Sequence, residues 1–117
     1  MVEKFVFWLK SIYFFEPPPD EINCLLFVVK KVGHYVFLQL CGFEKQPNIN
    51  ENFYRPQEAE FFYSKELVGI NEIVFEHRVK SLIYDAFADM EIKQKYCGLK
   101  IYLLNNNSIE YLLKIKK

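Results

Sequence analysis

The sequence predicts an α+β fold: an antiparallel β-sheet built on a central hairpin (21–44), one long amphipathic helix (about 72–94) packed on it, and a C-terminal hairpin. Three observations carry this. Two apolar runs flank a turn at Gly33, apolar residues recur at helical spacing from Phe75 to Met90, and a second pair of apolar runs flanks Asn105-Asn106-Asn107. At 117 residues the chain has the length of a single domain spanning 1–117. A hydrophobic content of 51% and an aromatic content of 18% exclude a disordered chain.

Met1–Phe15 is rich in Phe, Val, Ile, Trp and Tyr, which predicts a strand bent near Lys10-Ser11, with a short helix as the alternative. Trp8 is expected in the core. Pro17-Pro18-Pro19 ends the element, because proline fixes φ and cannot donate to a ladder. The stretch EINCLLFVVKKVGHYVFLQLCGFE then reads as the central hairpin. A turn centred on Val32-Gly33 pairs Lys31 with His34 and puts Cys24 opposite Cys41. Leu25, Phe27, Val29, Val36, Leu38 and Leu40 share one face, and Ile22, Cys24, Leu26, Val28, Tyr35, Phe37, Gln39, Cys41 and Phe43 share the other. Neither row is polar, so cover is expected on both faces, from the chain itself or from a partner.

Lys45–Gln57 is a polar loop suited to making contacts, and AEFFYS (59–64) reads as a further strand. Gly69 interrupts the chain before Asn71, a good N-cap, with Glu72 in the first turn where the helix dipole favours a carboxylate. Phe75, Val79, Leu82, Ile83, Ala86, Phe87 and Met90 form the apolar stripe of the long helix, and Gly98 is its stop signal. In the last hairpin, asparagine's tolerance of left-handed backbone suits the turn.

Charge and cysteine usage narrow the function classes. Net charge is zero, which predicts no general attraction to nucleic acid or to an acidic membrane. Its distribution is uneven: residues 44–76 carry seven Glu against three basic residues, and residues 93–117 carry six Lys against one Glu. The two segments either neutralise each other in space or leave an acidic patch for a basic partner. Cys24, Cys41 and Cys97 match no zinc or redox spacing. The N-terminal run lacks the features of a signal peptide and is too short to span a bilayer, so a cytoplasmic location and buried thiols are expected.

Catalytic patterns fail on geometry. His77, Ser81 and Asp85 recur at four-residue spacing, but the serine sits in the middle and the outer two lie about 12 Å apart along a helix. Asp85 and Asp89 resemble an acid pair but lack a third ligand nearby in sequence, and a solvated charge cluster with Arg78 is the better reading. No glycine-rich phosphate loop and no HxxH or CxxC pattern exists, so neither a metal nor another cofactor is expected. Lys100, Tyr102, Tyr111 and Lys114 interleave charge with aromatic rings, the chemistry that stacks single-stranded nucleic acid, although balanced overall charge argues against that use. Twelve Phe and eight Tyr exceed what one small core easily buries, which favours a binding face.

The hairpin ending LQLCGFEKQ, followed by FYRPQEAEFFYSKEL and a helix, resembles the small bacterial immunity proteins of contact-dependent growth inhibition systems over roughly residues 21–70. That likeness implies a non-catalytic cytosolic inhibitor that binds a cognate toxin domain, a nuclease, and obstructs its active site or substrate groove. The family shares no binding motif, so no residue's role carries over. From this chain's own residues, an acidic, aromatic surface suits a nuclease's basic groove. The candidate partner-binding set is Glu51, Phe53, Tyr54, Arg55, Glu58 and Glu60, with Glu72 and Glu76 in support. The alternative is a homo-oligomeric or small-ligand-binding β-rich module whose aromatics line a seam or pocket.

Overall fold

A computed structural model describes residues 1–33, 35–48, 54–57, 59–63 and 71–116. In chain order these form α1 (Val2–Phe15), β1 (Cys24–Val32), β2 (Tyr35–Phe43), β3 (Glu60–Phe62), α2 (Glu72–Ala86), α3 (Met90–Lys95), β4 (Lys100–Asn105) and β5 (Ser108–Lys114). The strands make one five-stranded sheet in the order β3-β2-β1-β4-β5. The fold is α+β, with the hairpin at its centre.

The sheet is mixed where an antiparallel one was expected, because β1 pairs with β4 in parallel. The cause is topological. β3 runs antiparallel to β2, and α2 and α3 then carry the chain back to the end where β1 begins. A strand launched from there must run alongside β1 in the same direction, as crossover connections require.

The hairpin register differs from the predicted one by two residues: Val32 pairs with Tyr35 and Cys24 with Phe43. An even shift leaves the side chains of β1 and β2 on their predicted faces. Ile22, expected beside Cys24 and Leu26, instead packs in the helix-side core, because regular alternation begins only at Cys24. The shift does, however, place Leu26 opposite Cys41, and all three cysteines are free thiols. Gly33 takes φ +59 at the turn, a conformation that costs glycine little. His34 lies outside the described residues, as do Ser64 and Gly69.

Met1–Phe15 is a helix and not a strand. Its buried residues, Phe5, Leu9 and Ile12, fall at four- and three-residue spacing, and the apolar residues between them mask that period. Phe5 packs between Phe27 and Phe61, with centroids 5.6 and 5.1 Å away. Burying a phenylalanine this way contributes about 1.5–3 kcal/mol before entropy is counted. Trp8 is half-buried against Phe61, 5.5 Å between centroids. Helix α1 ends at Glu16 because a residue preceding proline is pushed out of helical geometry.

The expected long helix is two. Asn71 caps α2, its Oδ1 accepting from the Ile73 N–H at 2.8 Å, and Phe75, Val79, Leu82, Ile83 and Ala86 form the buried stripe. Asp89 then restarts the helix, its Oδ1 accepting from the Glu91 and Ile92 N–H groups at 3.0 and 3.1 Å. Met90 consequently leaves the stripe and is exposed. Gly98 takes φ +88 beyond α3, and Asn106 and Asn107, at φ 52 and 63, make the turn between β4 and β5.

All three helices cover the sheet face that carries Leu25, Phe27, Val36, Leu38, Leu40, Ile101 and Leu103. Tyr96 ties the end of α3 to α1, its hydroxyl donating to the Leu9 carbonyl at 2.6 Å. No described helix or strand lies over the second face, so the expected two-sided cover is complete on one side and partial on the other. There Cys24, Leu26, Cys41 and Phe43 form a small buried cluster, while Tyr35, Phe62 and Tyr111 are exposed. Burial pushes the Cys41 thiol up to about 11, and Cys24 is raised for the same reason. Little thiolate therefore exists at either site near neutrality. Iodoacetamide at neutral pH should label Cys97 in the native protein, with Cys24 and Cys41 reacting only after denaturation. Native labelling of all three at similar rates, read by mass spectrometry, would contradict this packing.

Candidate functional site

Residues 54–57 and 59–60 lie along the β2 edge without being a regular strand until Glu60. Gly42 bridges to Tyr54 through its N–H, which donates to the Tyr54 carbonyl at 2.8 Å, and the Leu40 N–H donates to Ala59 at the same distance. The residues between form a ridge with a groove on each side. The first groove, of about 680 Å³, lies against α1 and is lined by Phe7, Trp8, Ser11, Ile12, Phe15, Glu16, Pro56 and Gln57. The second, of about 480 Å³, is polar and is lined by Gln39, Arg55, Pro56, Gln57, Ala59 and Glu60.

Two anchors hold the ridge to α1. The Tyr54 hydroxyl donates to the Glu16 carbonyl at 2.6 Å, and the Glu16 carboxylate accepts from the Gln57 N–H. Burial raises the Tyr54 hydroxyl well above its usual range, with the Glu16 charge adding to the effect. Tyr54 is thus a neutral, buried strut. Gly42 is needed beneath it, because a Cβ there would lie 2.9 Å from both Ile22 Cγ2 and Tyr54 Cδ2.

Helix α1 presents Phe7, Phe14 and Phe15 beside the first groove, 72%, 77% and 77% exposed. The rings of Phe14 and Phe15 meet edge to face at 4.9 Å. A soluble surface rarely exposes so much apolar area in one place without a partner for it. Sequence reasoning missed these residues because a strand assignment scatters them over two faces. The seven-residue spacing of Phe7 and Phe14, two turns of helix, was the available signal.

The described candidate partner-binding residues do not gather at one place. Glu51, Phe53 and Glu58 lie outside the described residues. Tyr54 is buried, whereas Arg55 and Glu60 are exposed on the ridge. Glu60 pairs with Lys30 at 3.6 Å, an exposed contact of the kind that contributes at most about 1 kcal/mol. Glu72 is on the other side of the sheet. Its carboxylate accepts from Lys31 Nζ at 3.1 and 2.9 Å and from Asn105 and Asn106, which tie α2 to the β4–β5 turn. The hydrogen bonds from Lys31 and then Asn106 lower its pKa. Glu76 is half-buried on α2 near Lys80. Lys30 and Lys31 are consecutive in β1, so alternation alone sends Glu60 and Glu72 to opposite faces.

His77 and Asp85 are exposed on α2, and Asp89 is committed to its cap and to Lys10. Among the described residues, no group of three His, Cys, Asp or Glu side chains is placed to hold a metal ion, and no helix is long and apolar enough to cross a membrane. Comparison with protein-family models, with curated proteins and with solved structures gave no match.

Gly42→Ala should destabilise the protein by about 1–3 kcal/mol, because Ile22 and the Tyr54 ring must move apart. Chemical denaturation measures it, and an unchanged midpoint would show that Tyr54 does not close over this strand.

Proposed function

We propose that this chain is a non-catalytic binding protein, an immunity-type inhibitor that holds a cognate toxin domain against the 54–60 ridge and the outer face of α1. The carrying observation is the cluster of Phe7, Phe14 and Phe15 beside a groove whose other wall is that ridge. Exposed aromatic anchors next to a pocket are what a protein interface uses for affinity. Arg55 and Glu60 supply charge at the rim, and the weak Lys30–Glu60 contact leaves the carboxylate able to exchange Lys30 for a cation of the partner. The resemblance to immunity proteins supports this class of partner, and the exposed aromatic surface supports this choice of contact face. A basic nuclease groove meeting Glu58 and Glu60 is the form of inhibition that follows. The location that goes with this reading is the cytoplasm, where such a toxin would act.

A homo-oligomer is the second reading, favoured by the same phenylalanines, which a second copy would cover. Sedimentation velocity over a concentration series separates the two: a monomer supports the inhibitor, and a dimer abolished by Phe14→Ser with Phe15→Ser supports the oligomer. Against a toxin domain encoded beside this chain, the same double substitution should weaken binding at least tenfold, since a hot-spot aromatic contributes about 2 kcal/mol or more. Glu58→Lys with Glu60→Lys should weaken it too, chiefly by slowing association. Unchanged affinity in both variants, with folding intact by circular dichroism, would remove the ridge and α1 from the interface.

A further inference from the structure

At the opposite edge of the sheet from the ridge, β4 and β5 gather four residues that the inhibitor reading does not use. Lys100 pairs with Lys114 across the strands, and Tyr102 with Tyr111. The tyrosine rings meet edge-on, 5.4 Å between centroids. Lys100 is also aligned with Cys24, and Tyr102 with Leu26, which puts the quartet on the face that carries no described helix. Tyr111 is 51% exposed and both lysines are exposed.

Like charges directly opposite each other destabilise a strand pair. The ion pairs of the described residues engage Lys10, Lys30, Lys31, Lys80 and Lys95, and neither Lys100 nor Lys114. Exposed Lys116 follows in the same strongly basic C-terminal segment. The corner is therefore locally cationic although the chain is neutral overall, and its cations flank an open aromatic pair. Ammonium groups neutralise phosphates, and a tyrosine ring standing on a sheet offers a base its face.

We propose that this corner binds single-stranded nucleic acid, with Tyr111 as the stacking platform, Tyr102 as its support, and Lys100 and Lys114 as phosphate contacts. This function is independent of toxin inhibition and uses the other edge of the molecule. An acidic protein segment or a duplex would engage the lysines without needing the ring, which makes Tyr111 the discriminating residue.

The test is fluorescence anisotropy of the full chain with labelled ten-nucleotide oligo-dT and oligo-U at about 50 mM salt, where phosphate contacts are strong. Unlabelled single strand, duplex and poly-glutamate serve as competitors. Tyr111→Ala should weaken binding roughly 5- to 150-fold, the range for one stacked base, and Tyr111→Phe should retain it. Lys100→Gln with Lys114→Gln should lower the affinity and flatten the salt dependence by about 1.4 in slope, two single-strand phosphate contacts. Single strand should displace the probe, and poly-glutamate and duplex should not. The proposal is overturned by no binding of either oligonucleotide, by equal displacement with poly-glutamate or duplex, or by unchanged affinity in Tyr111→Ala.

Discussion

Strand β1 is the constraint on which the rest of this molecule depends. It is hydrogen-bonded on both sides, antiparallel to β2 over its full length and parallel to β4 from Cys24 to Val28. The parallel contact forces a crossover, and the crossover sends α2 and α3 to the face where α1 also packs. Phe27, on β1, touches both Phe5 of α1 and Phe87 at the end of α2, at 5.6 and 6.1 Å between centroids. One residue of the central strand thus joins the first helix to the second. With three helices on one side, the other side has no described element left to cover it.

The same strand organises the charges. Lys30 and Lys31, adjacent in sequence, reach Glu60 on the open face and Glu72 on the helical face. The described carboxylates of the acidic middle segment therefore do not form one patch. Part of it is held in the fold, where Glu72 joins β1, α2 and the β4–β5 turn. Part of it stays at the surface beside the ridge. Lys10 with Glu91, at 2.7 Å, and Lys80 with Glu110, at 2.6 Å, tie the helices to one another and to β5 in the same way. These exposed contacts orient elements more than they stabilise them.

Much of this architecture was legible in the residues. The central hairpin, the alternation within its two strands, the Asn71 cap, the buried stripe of α2 and the Asn106-Asn107 turn all follow from local rules of period and backbone preference. What escaped was of two kinds. Helix α1 hid because Phe, Val and Trp fill the positions between Phe5, Leu9 and Ile12, so no polar residue marked the helical period. Asp89 read as one of a pair of acids because a capping aspartate and a surface aspartate look alike until the backbone turns. The parallel pairing required knowing where α2 and α3 deliver the chain, which is a property of the whole topology. The α1 part of the candidate site was lost with the α1 assignment, since only a helix puts Phe7, Phe14 and Phe15 on one side.

The central claim is that the described helices stack on one face of the sheet only, and hydroxyl-radical footprinting of the monomer reads it directly. Tyr35, Phe62 and Tyr111 should be oxidised rapidly, and Phe5, Phe27 and Tyr96 should stay protected until the protein unfolds. Protection of the first three to the level of Phe27, at concentrations where the chain is monomeric, would mean that the second face is covered and that the one-sided arrangement is wrong.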